Sequence, residues 1–267
     1  MAFEIFPKTF APQQNAKTTL SDSDVAEARA RFDPTKSTNL SYLLNKRYQW
    51  INQHLVDRSF IVELGCGSAL GSYYYKKKVV LTDVIDSPWL HQKVDVFALP
   101  YEDNSVDAFI CSFTIHHFAQ PKLVLQMLQK KLKKHGILVI QEVENSLAMK
   151  LLLWITKVEG WSDEVDIFDD RQLCNDPSDP WSGNNSIPQM LFSDEDKFHN
   201  KLPGYKIQEN TLSEFFVLIL SGGVIKQRRT VQLPRLWLNV VNWLDRMFIR
   251  LAPKVFPLVR LVVLEKI

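Results

Sequence analysis

The sequence predicts an α/β fold built around a mostly parallel sheet. Four apolar, strand-like runs begin at Phe60, Val79, Ala108 and Gly136, and helical or turn segments separate them. This alternation is typical of a parallel sheet connected by helices. The runs are continuously apolar, as expected of strands that helices cover on both faces. With 267 residues, 46% of them hydrophobic and 23% charged, the chain is long and apolar enough to form such a core.

Helical patterns accompany these strands. An apolar stripe between Leu40 and Val56 predicts a helix that packs on the sheet. The segment LVLQMLQKKLKK predicts a crossover helix before the fourth strand, with lysines near its negative end. After Glu142 the pattern is less regular, because an apolar helix, an acidic run and a turn-rich stretch follow one another.

Charge and cysteine content narrow the function classes. The chain has 32 basic and 30 acidic residues, a balance that does not favour nucleic acid as a partner. Cys66, Cys111 and Cys174 are widely separated and odd in number, which indicates a reducing compartment and no disulfide framework. The first residues lack the apolar core of a signal peptide, and no apolar run reaches the roughly 18 residues of a spanning helix. We therefore expect a cytoplasmic protein.

A glycine-rich turn follows the first predicted strand. Glycines at positions 65 and 67 let a tight strand-to-helix turn approach a ligand without an intervening Cβ. A dinucleotide-binding turn would have glycine where Leu70 stands, and phosphate binding gives no reason for an acid at Glu63. A ligand with sulfonium and ammonium charges does give a reason. Asp83, at the end of the second strand, can accept hydrogen bonds from both ribose hydroxyls of an adenosine.

Two further segments carry a family resemblance, namely DVFALPYEDNSVD from Asp95 and CSFTIHHF from Cys111. The order Glu-x-Gly-x-Gly, strand-end Asp, Asp-x-x-x-Leu-Pro-Tyr-x-Asp-Asn-Ser-x-Asp and a strand ending in His-His resembles class I S-adenosylmethionine-dependent methyltransferases, especially the family that includes ubiquinone and menaquinone biosynthesis enzymes. The match runs from about Phe60 to Glu142. Ala69 replaces a third glycine common in that family, and Lys134-His135-Gly136 stands where Pro-Gly-Gly is usual.

The resemblance implies a Rossmann-like, seven-stranded, mostly parallel sheet with an antiparallel C-terminal hairpin and helical insertions, and S-adenosylmethionine as the cofactor. It assigns the methionine part to Glu63, Gly65 and Gly67, the ribose to Asp83, and the adenine to Asp95 and Val96. Cys66 and Val84 are assigned to the same site, and Cys111 and Ser112 to its wall. A narrower resemblance, in LTDVIDSPW, VIQEVENSLAMKLLLWI and DPWSGNNSIPQMLF, is to uncharacterised bacterial methyltransferases associated with surface polysaccharide or glycolipid pathways.

The chain divides into four parts on these patterns. Residues 1–36 form an N-terminal arm or cap, 37–145 the cofactor-binding core, and 146–204 an insertion on the acceptor side. Residues 205–267 form the C-terminal hairpin with an inserted apolar helical segment at about 233–258. The hairpin arms are predicted at FFVLILSGG and RLVVLEKI.

His116 and Glu142 are the candidate catalytic residues. Glu142 ends a strand at the edge of the sheet where open α/β proteins bind ligands. It is interpreted either as a residue that orients or deprotonates an acceptor hydroxyl, or as a solvated acid in a loop. Adjacent residues face different ways, so at most one of His116 and His117 should reach the substrate, and His117 is read as structural. No metal site is expected. The acidic run from Glu159 to Asp170 is interpreted as a solvated face of the protein. The alternative is that its negative charge repels anionic competitors of the substrate.

Two segments have alternative interpretations. Asp176 to Phe192 is either a mobile lid over the acceptor or an ordinary surface loop. The C-terminal helix is apolar outside a narrow polar stripe, and it either packs in the core, forms a homodimer, or lies at a membrane through Trp237 and Trp243 near a lipid-linked acceptor. The stripe consists of Arg235, Asn239, Asn242, Arg246 and Arg250.

These observations lead to one functional hypothesis and two alternatives. The hypothesis is methyl transfer from S-adenosylmethionine to an oxygen, in preference to a nitrogen or carbon, of a small-molecule or lipid-linked acceptor. The first alternative is an NAD-dependent oxidoreductase on the same sheet architecture, which Leu70 and the Asp95 to Asp107 segment disfavour. The second is a non-catalytic S-adenosylmethionine-binding scaffold, which would bind cofactor without turnover.

Overall fold

Seven strands form the central sheet of the protein. The structure is a computed structural model that describes residues 5–12, 20–36 and 38–267. In spatial order the strands are β4 (Gln92–Lys93), β3 (Val79–Asp83), β2 (Ile61–Leu64), β5 (Val106–Ser112), β6 (Leu132–Val143), β9 (Val259–Lys266) and β8 (Tyr205–Ser213). Strands β4, β3, β2, β5 and β6 are parallel, whereas β9 is antiparallel to both β6 and β8. The Rossmann-like sheet with its antiparallel C-terminal hairpin is therefore confirmed.

Eight helices surround the sheet in the described residues. They are α1 (Asp22–Arg31), α2 (Asn39–His54), α3 (Pro121–Lys131), α4 (Leu147–Thr156), α5 (Ile187–Phe192), α6 (Glu195–Lys201), α7 (Phe216–Ser221) and α8 (Arg235–Leu251). A short ribbon of β1 (Thr9–Phe10) and β7 (Trp161–Ser162) ties the N-terminal segment to the chain that follows α4. Residues 1–4, 13–19 and 37, which the sequence places in the arm and at the start of the core, lie outside the described residues.

The core has one layer on each face of the sheet. Val62 and Leu64 of β2 point to the layer that contains α3, α5 and α6, whereas Ile61 points to the layer that contains α2 and α7. Side chains alternate along a strand, so neighbouring residues of one apolar run are buried in opposite layers. This is why the strands read as continuously apolar in the sequence. The arrangement leaves the carboxyl ends of the parallel strands open at one edge of the sheet.

The prediction of a strand at FFVLILSGG is wrong. This segment forms helix α7, and the hairpin arm beside β9 is instead Tyr205–Ser213. The carboxylate of Asp245, on α8, accepts hydrogen bonds from the backbone N–H groups of Phe215, Phe216 and Val217 at distances of 2.8–3.1 Å. The first N–H groups of a helix have no partner within that helix. The buried Asp245 carboxylate, which belongs to the neighbouring helix α8, therefore stabilises the first turn of α7.

Helix α8 contacts α2 and α7 along one side only. Leu238, Asp245 and Ile249 are buried there, and Asn239 accepts a hydrogen bond from the Tyr42 hydroxyl at 2.9 Å. The opposite side remains exposed and apolar, with Leu236, Trp237, Val240, Trp243, Met247 and Leu251 all at least one-third accessible. The helix is therefore only half-buried. Within the described ranges, no helix combines the length and the hydrophobicity needed to cross a bilayer.

Candidate active site

A large cavity opens at the carboxyl ends of β2, β3 and β5. Its volume is about 1480 Å³, above the roughly 300–1,000 Å³ typical of a pocket for one drug-sized ligand. The predicted cofactor residues Glu63, Gly65, Cys66, Gly67 and Asp83 all line it. The cavity is therefore large enough for a cofactor together with a second molecule.

The glycine-rich turn after β2 forms the floor of this cavity. Gly65 has a φ of +65°, and a Cβ there would lie 2.4 Å from Cγ2 of Thr114, so only glycine fits. Gly67 has a φ of +50°, and no atom lies within 4 Å of the position its Cβ would take. The backbone at Gly67 is therefore open to a ligand, while the backbone at Gly65 is pressed against the next strand end.

Glu63 lies beneath this turn, and one of its carboxyl oxygens has no hydrogen-bond partner in the described residues. Its side chain is 2% exposed, and the oxygen without a partner is Oε2. Burial raises the pKa of Glu63 to about 8; the Tyr75 hydroxyl partly offsets this rise and the nearby Asp83 carboxylate adds to it. A cationic ligand group would supply the missing partner. The ammonium of S-adenosylmethionine fits this requirement.

Asp83 is held at the end of β3 by two backbone donors. The N–H of Gly67 donates to its Oδ2 at 2.8 Å, and the N–H of Ile85 donates to its Oδ1 at 3.0 Å. Burial raises its pKa, which those hydrogen bonds partly offset. Val84, which follows, is half-exposed and also lines the cavity. The glycine turn and the predicted ribose carboxylate are thus fixed to each other.

Of the remaining predicted cofactor residues, three line the wall of the cavity and one lies in the hydrophobic core. Asp95 accepts a hydrogen bond from the Phe97 N–H at 2.9 Å and begins a short 3-10 turn, and both Asp95 and Val96 line the cavity. Ser112 lines it as well. Cys111 does not, because alternate strand residues point to opposite sides and its thiol is fully buried in the core layer of α3. The prediction that Cys111 forms part of the pocket wall is therefore wrong.

Glu142 lies behind the cavity wall, where it holds the turn after β5. It is fully buried and accepts hydrogen bonds from the backbone N–H groups of Thr114 and Ile115. His116 donates from Nδ1 to its Oε2 at 2.7 Å. All of these bonds are internal to the protein, so Glu142 is neither a solvated acid nor placed against an acceptor. Its position is that of a residue that orients His116.

His116 and His117 converge on one carboxylate, Glu159, in contrast to the expected divergence. They lie in a 3-10 turn, Ile115–His117, with ring centroids 4.1 Å apart. The Nε2 atoms of His116 and His117 lie 3.5 Å and 4.0 Å from the Glu159 carboxylate. We call these three residues the His-His-Glu cluster, and all three line the cavity. The expectation that adjacent imidazoles face apart is wrong here, because a 3-10 turn is not a strand.

Charge in the cluster is concentrated on His116 and Glu159. Burial of the His116 ring favours its neutral form, but the carboxylates of Glu142 and Glu159 raise its pKa to about 10. Burial likewise opposes ionisation of Glu159, but His116 and His117 lower its pKa to about 2. For His117, burial and the adjacent His116 lower the pKa. Two carboxylates therefore surround one imidazolium at the cavity wall.

Glu159 is the site residue that the sequence does not reveal. It stands at the start of an acidic run read as solvated, and no local spacing connects it with the histidines. In the structure it is largely buried, and Asn185 donates to its Oε2 at 3.0 Å. Ile167 and Phe168, in the same run, are also buried. The run is therefore not a uniform solvated face.

Three segments cover the cavity, and we call them the roof: helix α1, residues 176–181 and residues 222–230. Arg29 donates to the carbonyls of Ser68 and Ala69 at 2.9 Å each, which fastens α1 to the glycine turn. The Trp181 indole N–H donates to Asp22 at 2.8 Å, which joins α1 to the second segment. The predicted lid is thus divided, because residues 176–181 line the cavity whereas Ile187–Phe192 forms α5 in the core.

Comparison with known proteins agrees with this fold. Residues 62–140 match the model of the family described as Methyltransferase domain. No curated protein matches the chain. A S-adenosylmethionine-dependent methyltransferase structure from Archaeoglobus fulgidus is 15% identical, with a TM-score of 0.51, over 84% of this chain and 94% of that one.

Two further solved structures described as S-adenosylmethionine-dependent methyltransferases are similar at a lower level. The one from Aquifex aeolicus is 14% identical over 93% of this chain and all of that chain, with a TM-score of 0.45. The one from Mesorhizobium loti is 13% identical over 84% of this chain and all of that chain, with a TM-score of 0.44. At these identities the solved structures show only that the fold is shared, whereas the family model identifies a methyltransferase domain at residues 62–140. Residues 62–140 therefore contain a methyltransferase domain, and the sheet around them has the fold of the S-adenosylmethionine-dependent methyltransferase from Archaeoglobus fulgidus.

Proposed function

We propose that this methyltransferase acts on an oxygen, in preference to a nitrogen or carbon, of a small-molecule or lipid-linked acceptor in surface polysaccharide or glycolipid biosynthesis. The observation that carries the proposal is the His-His-Glu cluster on the wall of the same cavity as the glycine turn and Asp83. A hydroxyl must lose its proton as its oxygen attacks, and this cluster is the polar group available for that step.

S-adenosylmethionine supplies an electrophilic methyl group when it is bound. The chain's own part is alignment: Glu63 and the backbone at Gly67 receive the cationic end, Asp83 receives the ribose, and Asp95 with Val96 flanks the base. Fixing two reactants in line at near contact provides a large share of the acceleration in such reactions. The roof excludes water from the reacting atoms, which strengthens each polar interaction beneath it.

The exposed side of α8 supports a lipid-linked acceptor. Trp237 and Trp243 are 59% and 57% exposed, and Leu236 and Leu251 exceed 70%. Arg246 and Arg250 lie on one flank of this apolar side, as in helices that lie in the plane of a membrane surface rich in anionic lipid. Arg228 and Arg229 are exposed at the cavity mouth, where they would attract an anionic acceptor headgroup. On this basis we propose that the protein contacts the cytoplasmic face of a membrane.

Titration calorimetry tests the cofactor first. Binding of S-adenosylmethionine and S-adenosylhomocysteine but not NADH is expected, and binding of NADH alone would support the oxidoreductase alternative. The acceptor is then sought by incubating the protein with methyl-labelled S-adenosylmethionine and either glycolipids in vesicles or water-soluble quinone precursors. Label in an O-methyl ether of the glycolipid supports the proposal. Tight cofactor binding without transfer to any hydroxyl acceptor would support the scaffold alternative.

The role of α8 is tested with vesicles of anionic and of neutral lipid. The double substitution Trp237→Ser and Trp243→Ser is expected to reduce sedimentation with anionic vesicles at least tenfold, because both indoles leave the interface. Val56→Ser is the matched control, since Val56 is 60% exposed and lies in the turn after α2, outside α8. Equal sedimentation of the double variant and the control would refute membrane contact through α8.

A further inference from the structure

The His-His-Glu cluster has the composition of a metal site with an open position. One ligand atom from each of His116, His117 and Glu159 lies within 4.8 Å of the other two. Two imidazoles and one carboxylate form a common ligand set for catalytic zinc and for other divalent transition metals, and an ion bound here would displace the Nε2 proton of the His116 imidazolium. Around a tetrahedral zinc ion, ligand distances of about 2.0–2.1 Å place neighbouring ligand atoms about 3.4 Å apart. Here the Nε2 of His116 lies 3.5 Å from Oε2 of Glu159 and the Nε2 of His117 lies 4.0 Å from Oε1, so one carboxylate faces both imidazoles, and one ligand atom from each residue fits within 4.8 Å.

Each residue of the cluster is also supported by a partner that orients it. His116 donates from Nδ1 to Glu142 at 2.7 Å, and His117 donates from Nδ1 to the carbonyl of Ser182 at 3.1 Å. Asn185 holds the Glu159 carboxylate. Both histidines therefore present Nε2 toward the same carboxylate. Metal-ligating histidines almost always donate their second ring N–H to a carboxylate or carbonyl in this way.

The backbone around the cluster is shaped to let both rings approach. A Cβ at Gly183 would lie 3.2 Å from His117 and 3.3 Å from Cδ2 of His116, so this residue packs closely on both imidazoles. His116 is 3% exposed, whereas His117 and Glu159 are 18% and 14% exposed at their side chains and face the cavity. Three protein ligands would thus leave one coordination position directed into the cavity.

We propose that the His-His-Glu cluster binds one divalent transition-metal ion, for which zinc has the best-fitting geometry, and that this ion receives the acceptor hydroxyl. The binding of the ion stands on the cluster alone, whereas its catalytic use rests on the proposed function. With the hydroxyl oxygen as fourth ligand, the ion lowers the pKa of that hydroxyl and its proton leaves to solvent. The oxygen forms a bond to the methyl carbon as the carbon–sulfur bond breaks, and the electron pair of that bond remains on sulfur. The products are the methyl ether, S-adenosylhomocysteine and one proton.

Metal content tests the site without any turnover. The full-length protein is dialysed against a chelator, then against buffer containing Zn²⁺, Mn²⁺ or Co²⁺, and the bound metal is counted by mass spectrometry. About one ion per chain is expected for zinc. His117→Ala and Glu159→Gln are expected to abolish retention, while His135→Ala retains it. His135 is the matched control because it pairs with Glu265 at 2.6 Å on the exposed opposite edge of the sheet.

A second variant keeps the test decisive if the first ones fold poorly. Glu142→Gln preserves the size of the residue that orients His116 and is expected to weaken zinc binding about 10- to 100-fold. S-adenosylhomocysteine affinity serves as the fold check for every variant. Absence of retained metal in the folded wild type, or equal retention in folded His117→Ala, would overturn the site. Retained metal together with failure to methylate hydroxyl acceptors would leave the site established and would refute its catalytic use and the proposed function instead.

Discussion

Cofactor binding should depend on pH through Glu63. This carboxyl is buried with an unpaired oxygen, and its pKa is raised to about 8. At pH 7 only about one-tenth of such groups is ionised, whereas at pH 9 about nine-tenths are. If the ionised form receives the ammonium of the cofactor, affinity at pH 7 is about tenfold lower than at pH 9, and a proton is released on binding.

The substitution Glu63→Gln isolates this effect. The cofactor's own amino group titrates near pH 8, as α-amino groups do, so both proteins share that contribution and only their difference reports Glu63. We expect the variant to bind more weakly than wild type at pH 9 and to lose the rise in affinity that Glu63 contributes. The sign follows from the raised pKa: the apo protein holds a proton that a cation must displace.

Calorimetry at pH 7 in two buffers of different ionisation enthalpy measures the proton directly. The wild type is expected to release about 0.9 proton more than Glu63→Gln on binding S-adenosylhomocysteine. The control Glu265→Gln, at a partly exposed carboxyl that does not line the cavity, is expected to behave like wild type. Equal proton release by wild type and Glu63→Gln would refute the assignment of Glu63 to the cationic end of the cofactor.

Three further predictions concern polar groups with defined partners. Asp83→Ala should weaken S-adenosylhomocysteine binding about 10- to 100-fold in calorimetry, because hydrogen bonds to a charged group contribute about 1.5–3 kcal/mol; unchanged affinity in the folded variant would contradict the ribose assignment. Glu214→Ala leaves the buried guanidinium of Arg47 without its bidentate partner and should lower the free energy of unfolding by about 3–5 kcal/mol in urea, against less than about 1 kcal/mol for Glu265→Ala. Asp245→Ala should lower it by about 1–3 kcal/mol, since three backbone N–H groups of α7 lose their acceptor, and a smaller loss than in Glu265→Ala would show that water replaces it.

The cofactor half of the site could be predicted from sequence because its signals are local. Strands, glycine turn and strand-end acid follow one another between Phe60 and Glu142, and each position depends on neighbours close in the chain. Asp83 and Gly67 are joined by a hydrogen bond in the structure, as their places at adjacent strand ends imply. The prediction that Cys111 lines the pocket was wrong because a step of one residue along a strand turns the side chain to the opposite face of the sheet.

The acceptor half depends on contacts between distant segments. Glu159 joins His116 and His117 only after α4 brings the chain back over the cavity, and no spacing in the sequence reports that return. Helix α7 has a short apolar sequence that suits a strand or a helix equally, and the acid that stabilises it is on α8. Fold class therefore follows from periodicity, whereas these two features follow from tertiary contacts.

The roof over the cavity has a consequence for the order of events in turnover. Helix α1 is held to residues 176–181 and 222–230 by polar contacts near the surface, among them the exposed hydrogen bond of Trp181 with Asp22 and the partly exposed ion pair of Lys226 with Asp24. Exposed contacts of this type each contribute little, so the segment can part from its neighbours without loss of the core. We expect the product thioether to leave the cavity when that parting occurs. Contacts added between the N-terminal helix and its neighbours should then lengthen the interval between catalytic cycles.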